Sequence, residues 1–325
     1  MNNLGFRYFL VVAKELSFTK AAEKLFISQQ SLSAHVQRLE QYYGVTLFQR
    51  KPVLKLTIAG EAMAFYAQQM LRAEENMTAK FADLVKNYQG RIKLGMSRQR
   101  SAIFFNNIWE FYRPNHENIS IILEENYTEN LLPLIQSGEL DLGICVNAQF
   151  RKDLEIIPLV TEKLCCSINT TLLQNCRPKT WEADANKFLN EGVDLLTIQD
   201  LPFYLLPQKN RLRSNLDQLF ATNGIFPKLV LETNNQESML KLSENGIGII
   251  SPMYLYHYWQ NQPLSIPLPK VYRIKNNIPN NTISLVYRKG AVLPSYVSDI
   301  KKIIKNEMLH YKATVNKMNN FKLIF

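Results

Sequence analysis

Long hydrophobic runs are absent from this chain of 325 residues. No uncharged apolar segment approaches the ~20 residues that a membrane-spanning helix needs. The most apolar stretch near the N-terminus carries Arg7, Lys14 and Glu15, and it shows no signal-peptide cleavage pattern. These absences argue against a membrane protein and against an exported one, so we expect a cytoplasmic protein.

Cysteine and histidine are also scarce, with four residues of each. The cysteines form no CxxC pair and the histidines are scattered, which argues against a zinc ribbon or finger, and we expect no metal site. Adjacent cysteines rarely form a disulfide with each other because the geometry is strained. We expect buried structural thiols, and a redox role is the alternative. The cysteines are Cys145, Cys165, Cys166 and Cys176.

Recognisable catalytic motifs are missing as well. The sequence contains no GxSxG, no Walker loop and no GxGxxG. Gly246 and Gly248 form a short glycine pair, but it closes a predicted helix and does not open one. A lone Ser or Cys without a base partner does not indicate a nucleophile. We expect no enzymatic activity and no cofactor, while a stand-alone solute-binding protein and an uncharacterised enzyme remain alternatives.

The charge of the chain is unevenly distributed. Apolar residues make up 46% and charged residues 20%, which is typical of a soluble globular protein, and the length allows two or three domains. Residues 1–58 carry eight basic and three acidic side chains, whereas residues 89–269 carry sixteen basic and nineteen acidic ones. A basic head on a mildly acidic body indicates a polyanion-binding domain attached to a separate core.

Helical spacing of apolar residues predicts three helices, over about residues 4–16, 18–25 and 29–43. Ser17 and Ser28 stand where the second and third helices begin, and each can cap its helix. Gly44 suits the left-handed turn that often ends a helix. Two short helices, a tight connection and a third helix form a helix-turn-helix.

Polar side chains crowd the start of the third helix, where Gln and Ser can reach base edges in the major groove of DNA. An ordinary solvent-exposed helix face is the alternative. Alternation over residues 53–56 predicts a hairpin strand whose basic residues lie along phosphates as a wing. The predicted DNA-binding residues are Ser28, Gln29, Gln30, Ser33, His35, Arg38, Arg50, Lys51 and Lys55.

An apolar seam follows the wing and recurs in steps of three and four from Met63 to Tyr88. Thr57 can cap this helix, and Glu61 lies in its first turn. A single buried helix would show the same spacing, but the remaining faces of this one are polar. We therefore expect a helix pair between two protomers. The predicted dimerisation residues are Met63, Tyr66, Met70, Met77, Phe81 and Leu84.

Strands and helices alternate over residues 91–310, which predicts α/β lobes with parallel sheets. Two crossings, near residues 158–162 and 264–271, leave a cleft between the lobes. Such sheets bind ligands at the carboxyl ends of their strands, and a helix N-terminus near Ser101 attracts anions. Ordinary loop or capping roles are the alternative. The predicted ligand-binding residues are Ser97, Arg98, Ser101, Val146, Pro207, Gln208 and Asn234.

The head resembles the winged helix-turn-helix domain of LysR-type transcriptional regulators. Gln30 stands where that family often has proline, Ala34 stands where it often has arginine, and the wing is slightly shorter, so the bases read by the third helix stay open. The resemblance rests on Ser17-Phe18, Ala21-Ala22, Leu25, Ser28-Gln29, Ser33, Leu39-Glu40, Gly44, Leu47-Phe48, Arg50, Leu56-Thr57 and Ala59-Gly60, in the family's order and near-identical spacing.

The resemblance extends more weakly through the body, and it implies an α/β protein with three parts. These are a winged helix-turn-helix at residues 1–58, a linker helix at 59–89 and an effector-binding domain at 90–310, similar to periplasmic solute-binding proteins. Lobe I would comprise residues 91–162 and 268–310, and lobe II residues 163–267, leaving 311–325 as a basic tail. The implied partners are double-stranded DNA, a small-molecule effector, further copies of the chain in a homodimer or homotetramer, and RNA polymerase.

Arg98, Arg100 and Lys209 lie near predicted strand ends, so we expect the effector to be a small organic anion.

Overall fold

Three helices and a hairpin form the N-terminal head in the computed structural model, which describes residues 3–84, 90–261 and 270–319. The hairpin strands are antiparallel, with Phe48 opposite Leu56 and Gln49 opposite Lys55. The three predicted helices and the predicted hairpin are confirmed, although its second strand begins at Lys55 and not at Val53. The elements are α1 (Leu4–Glu15), α2 (Phe18–Leu25), α3 (Gln29–Tyr43), β1 (Phe48–Gln49) and β2 (Lys55–Leu56).

The head closes around its own apolar core. Small residues at Ala21 and Ala22 are buried in α2, which lets α1 and α3 approach it closely. Leu32 and Val36 of α3 are fully buried one helical turn apart, so the opposite side of α3 faces outwards. Phe48 brings the hairpin into the same core.

A long helix, α4 (Ile58–Leu84), connects the head to the body. Thr57 caps it, because its Oγ1 accepts the backbone N–H of Gly60 at 3.0 Å. At 1.5 Å per residue, its 27 residues span about 40 Å. Ala67 is buried against the head, and Arg72 Nη2 donates to the carbonyl oxygen of Gln136 in the body at 3.1 Å. The last predicted seam residue, Tyr88, lies outside the described residues.

The first body sheet has the order β4-β3-β5-β12-β6. Its centre is parallel, and β12 runs antiparallel between β5 and β6. The elements up to the first crossing are β3 (Gly90–Met96), α5 (Arg98–Arg100), a π-helical turn (Ser101–Phe105), α6 (Asn106–Tyr112), a 3-10 turn (Arg113–Asn115), β4 (Ile119–Glu125), α7 (Thr128–Ser137), β5 (Leu142–Val146) and β6 (Leu154–Glu162).

The second sheet has the order β11-β7-β10-β8-β9, and the chain then returns to the first lobe. The elements of the second lobe are β7 (Cys165–Ser167), α8 (Thr170–Cys176), α9 (Trp181–Glu191), a 3-10 turn (Leu195–Ile198), β8 (Pro202–Leu205), α10 (Arg211–Asn223), β9 (Lys228–Glu232), α11 (Gln236–Lys241), β10 (Ile247–Ile250), α12 (Pro252–Asn261) and β11 (Val271–Arg273). The returning elements are β12 (Asn281–Arg288) and α13 (Ser295–Asn319).

The structure differs from the sequence prediction at both crossings. Residues 158–162, predicted as a crossing, are the end of strand β6, because they pair with β12 up to Asn281 opposite Glu162. Residues 271–273 belong to the second sheet, where β11 pairs with β7, and not to lobe I as predicted. Residues 264–269 of the second crossing lie outside the described part of the chain. Helices α8, α9 and α12 had no counterpart in the prediction.

The C-terminal helix is also longer than predicted from the sequence. Residues 311–319 continue α13 where a basic tail was expected. Tyr311 and Val315 are fully buried, so this part of the helix packs into the body. The lysines at positions 312 and 317 lie on its exposed side, which explains why the segment is basic and still folded.

Candidate functional site

Serine caps fix the start of helix α3. Ser28 Oγ accepts the backbone N–H of Ser31 at 3.1 Å, and Ser17 Oγ accepts that of Lys20 at 3.3 Å at the start of α2. Ser28, Gln29 and Gln30 are exposed at the first turn of α3. The structure therefore presents the predicted polar residues on the surface of the head, at the N-terminal end of a capped helix.

The remaining predicted residues of α3 differ in how far they face outwards. Arg38 is exposed, whereas Ser33 is half-buried. His35 is half-buried too, because its ring packs edge-on against Tyr8 of α1 with centroids 4.9 Å apart. His35 therefore helps to join α3 to α1, a contact that the sequence pattern did not indicate.

Glu40 anchors the wing to α3. Its Oε1 accepts the backbone N–H groups of Leu47 at 2.7 Å and Phe48 at 3.4 Å. Arg50 contacts two side chains of the head. Its Nη2 lies 3.9 Å from Glu40 Oε2, and its guanidinium lies 5.3 Å from the ring centre of Phe18.

Two further basic residues of the wing face solvent. Lys51 and Lys55 are both exposed. They carry positive charge on the same hairpin that Glu40 holds to α3. The wing thus has a fixed position relative to the exposed start of α3.

One face of α4 exposes an apolar stripe. Tyr66, Met70, Met77, Phe81 and Leu84 are all exposed in the single chain. Phe65, which is not part of the predicted seam, is exposed beside this stripe. Met63 differs from them, because it packs against the core of the head.

A cavity of about 520 Å³ lies between the two lobes. Four of the predicted ligand-binding residues line it, namely Ser97, Val146, Pro207 and Asn234. Three others, Arg98, Ser101 and Gln208, are not among the residues that line it.

The helix after β3 begins at Arg98, three residues before the predicted start, and this shift explains two of those differences. Ser97 is its cap and Ser101 lies one turn inside it. The Ser101 hydroxyl is buried and donates to the carbonyl oxygen of Arg98 and to the carboxylate of Glu125. Arg98 is exposed.

Arg100 is the arginine of this helix that lines the cavity. Only 11% of its side chain is exposed. Nη1 lies 3.4 Å from Ser97 Oγ, and Nη2 lies 3.7 Å from the carboxylate of Glu162. Its Nε is buried without a hydrogen-bond partner among the described residues. A nearly buried guanidinium with these few long contacts has unused capacity to bind an anion.

Two more cations line the cavity, Lys209 and Arg211. Arg211 Nη2 donates to Asn281 Oδ1 at 3.2 Å, and burial lowers the pKa of its guanidinium. Arg211 is the first residue of α10, directly after the cap Asn210, and a place at a helix start is the sequence signal that could have identified it. The carboxylates of Glu129 and Glu162 also line the cavity.

Three of the four cysteines are buried, as expected of structural thiols. Burial raises the pKa of Cys145 to about 12, and it raises the pKa values of Cys165 and Cys166 well above the ordinary value. These thiols stay protonated at neutral pH, the form that is a poor nucleophile. Cys176, at the end of α8, is exposed.

Within residues 3–84, 90–261 and 270–319, no cluster of three or more His, Cys, Asp or Glu side chains could hold a metal ion. No helix in those ranges is both long and apolar enough to cross a membrane.

Two family models match the chain and together cover most of it. The model described as bacterial regulatory helix-turn-helix protein, lysR family, matches residues 5–61. The model described as LysR substrate binding domain matches residues 86–309, which include the whole cavity.

Curated relatives extend over nearly the full chain. The Hca operon transcriptional activator HcaR of Escherichia coli K12 is 26% identical over 309 residues, which cover 94% of this chain and 98% of the relative. The regulator XapR of the same strain is 26% identical over 294 residues, covering 90% of this chain and 93% of the relative.

Solved structures share the fold at lower identity. A full-length OxyR from Pseudomonas aeruginosa has a TM-score of 0.59 at 20% identity and covers 95% of this chain and 94% of its own. The full-length regulator CbnR in complex with its target DNA has a TM-score of 0.50 at 17% identity and covers 94% of this chain and all of its own. At these identities the likeness shows the fold alone.

Proposed function

The chain belongs to the LysR family and is a DNA-binding transcriptional regulator with an effector-binding domain, and from this premise we propose which residues read DNA, which join protomers and which hold the effector. The proposed parts are a DNA-binding head at residues 1–58, a linker helix at 59–89 and an effector-binding domain that extends into α13.

The exposed start of α3 is the proposed base-reading surface. Gln29, Gln30 and Ser33 supply hydrogen-bond donors and acceptors for base edges, and Ser28 caps the helix that carries them. Arg38, Lys51 and Lys55 would bind phosphates beside the groove. Arg50 has the same proposed role, although its guanidinium also contacts Glu40 and Phe18 in the free protein.

The exposed apolar stripe of α4 is the proposed dimer interface. Tyr66, Met70, Met77, Phe81 and Leu84 would pack against the same helix of a second protomer, since a seam of this spacing pairs helices. Two heads joined in this way present two α3 helices to a two-fold symmetric DNA site. Three further points remain predictions. They are that dimers assemble into tetramers, that the protein contacts RNA polymerase, and that it works in the cytoplasm.

The effector is proposed to be a small organic anion in the interlobe cavity. The observation that carries this proposal is Arg100, whose guanidinium is almost buried, lines the cavity and has an Nε without a partner in the described structure. Lys209 and Arg211 add positive charge to the same cavity. A carboxylate or phosphate on the effector would complete the hydrogen bonding of Arg100.

A thermal-shift screen of organic acids on the full chain tests the effector proposal. We expect an anionic ligand to stabilise the wild type and Arg98→Gln equally, because Arg98 is exposed and lies outside the cavity lining. Arg100→Gln should lose most of that stabilisation. A stabilising ligand that is neutral or cationic, or one whose effect survives Arg100→Gln, would refute the proposed anion site.

A further inference from the structure

One buried carboxylate joins three separate parts of the body beside the effector cavity. Glu162 is the last residue of β6 and is only 1% exposed. Its Oε2 accepts the hydroxyl of Tyr311 from α13 at 2.6 Å, and its Oε1 accepts the hydroxyl of Ser251 from the second lobe at 2.9 Å. The same Oε1 lies 3.7 Å from Nη2 of Arg100. Glu162 therefore links the C-terminal helix, the second lobe and the arginine of the cavity.

The contact between Glu162 and Arg100 is incomplete. At 3.7 Å the two atoms are too far apart for a hydrogen bond, whereas the 2.6 Å contact with Tyr311 is a short bond to a charged acceptor. Burial, together with the charge of Glu162, raises the pKa of Tyr311 well above its ordinary value, so the hydroxyl keeps its proton and donates. Tyr311 thus holds one carboxylate oxygen on the side of α13.

We propose that Tyr311 is a positioning residue for the effector site. By holding Oε2, it keeps the carboxylate of Glu162 from closing onto Arg100, which leaves the guanidinium free for an anion in the cavity. Glu162 acts as an internal competitor of the effector for Arg100, so the position of its carboxylate sets how tightly the cavity binds an anion. This inference rests on the proposed role of Arg100 and adds the C-terminal helix to the effector site.

Two substitutions should change anion affinity in opposite directions. Tyr311→Phe removes the donor to Oε2, and the carboxylate, left with an unsatisfied oxygen, turns towards Arg100 and competes more strongly. Glu162→Gln removes the negative charge and with it the competition. Damage to the fold alone would weaken binding in both variants, so opposite signs separate positioning from a structural role.

Inorganic sulfate is the probe, titrated against the full chain by thermal unfolding at constant ionic strength set with chloride. Sulfate stabilises proteins generally. The measured quantity is therefore the sulfate-dependent rise in the unfolding temperature minus the rise that Arg100→Gln shows at the same sulfate concentration. We expect Glu162→Gln to bind roughly tenfold tighter than wild type, because a buried counter-charge is gone. Tyr311→Phe should bind several-fold more weakly than wild type.

Tyr256→Phe is the matched control. The hydroxyl of Tyr256 is also buried and donates to a glutamate of α13, Glu307, at 3.0 Å, but neither residue lines the cavity. Its loss should lower stability as the loss of the Tyr311 hydroxyl does and leave sulfate affinity unchanged. The double variant Glu162→Gln/Tyr311→Phe should bind sulfate as Glu162→Gln does, since Tyr311 acts through Glu162.

The outcomes separate the inference from the proposed function. Arg100-dependent sulfate binding that is the same in wild type, Glu162→Gln and Tyr311→Phe would overturn the inference and leave the anion site standing. An effect of Tyr311→Phe that persists in the Glu162→Gln background would also overturn it. Sulfate binding that is insensitive to Arg100→Gln in both the wild type and the Glu162→Gln background would overturn the anion site itself.

Discussion

Glu40 Oε1 accepts the backbone N–H of Leu47 at 2.7 Å, and this bond ties the last turn of helix α3 to the start of the wing. The same oxygen lies 3.4 Å from the N–H of Phe48, whose side chain is buried in the head core. One carboxylate thus fixes the position of the wing relative to helix α3.

Loss of this carboxylate should loosen the wing. Glu40→Ala leaves two backbone N–H groups without their acceptor in a half-buried place, which costs about 1–3 kcal/mol. Hydrogen exchange followed by mass spectrometry should show faster exchange in peptides covering residues 46–57. Glu23→Ala, an exposed glutamate of α2, is the control and should exchange as wild type does. Equal protection in Glu40→Ala and wild type would show that the bond does not hold the wing.

Lys55 should contribute affinity without sequence preference. Its side chain is exposed on β2, and a phosphate contact releases counterions whatever the neighbouring bases are. In mobility-shift titrations over a range of salt, Lys55→Ala should weaken binding to every duplex by the same factor and reduce the salt slope by about one unit. Lys152→Ala, an exposed lysine of the body, should change neither quantity. A loss confined to one sequence would contradict a phosphate contact.

The apolar stripe of α4 should hold two protomers together. Leu84→Glu would place an unpaired charge in the interface, and burial of such a charge is strongly unfavourable. Sedimentation equilibrium at micromolar concentration should show dissociation to monomer. Thr78→Glu adds the same charge beside the predicted seam and should leave the assembly intact. An unchanged assembly in Leu84→Glu would place the interface elsewhere.

Stability should fall in alkaline solution because of the buried thiols. The pKa of Cys145 rises from its ordinary value of 9.0 to about 12 on burial, so the unfolded chain loses this proton before the folded chain does. The contribution is fully present below pH 9 and disappears as the pH rises towards 12. Between pH 8 and 10, Cys145→Ala should lose about 1 kcal/mol less stability than wild type in urea unfolding. Cys176→Ala, at an exposed cysteine, is the control. Parallel losses in Cys145→Ala and wild type would contradict the burial of Cys145.

Local signals made the head predictable. Helix α3 is bounded by Ser28 and Gly44, residues whose side-chain oxygen and backbone freedom favour the two ends of a helix. Its inward residues recur at helical spacing, so both its limits and its exposed face follow from neighbouring residues alone. His35 was the exception, because its contact with Tyr8 depends on how α1 packs across α3.

The cavity was less predictable because its residues come together from distant parts of the chain. Ser97 and Ser101 can both cap a helix, and a helix start at Ser101 selects Arg98 for the predicted site. In the structure the helix starts at Arg98, which faces solvent, and Arg100 lines the cavity. The role of Tyr311 could not be predicted from sequence for a different reason. Its bond to Glu162 joins residues 149 positions apart, and its surroundings in sequence are rich in lysine and asparagine. Tertiary packing, and not a local pattern, decides that this segment is buried.

The most direct measurement compares DNA affinity at two duplexes for substitutions along α3. One duplex is the genomic fragment that the purified protein protects in footprinting, and the other is its scrambled version. Gln29→Ala and Ser33→Ala should each lose about 1–3 kcal/mol on the protected fragment and little on the scrambled one. Gln41→Ala, exposed at the far end of the same helix, should bind both as wild type does. Wild-type affinity of Gln29→Ala and Ser33→Ala for the protected fragment would contradict base recognition by the start of α3.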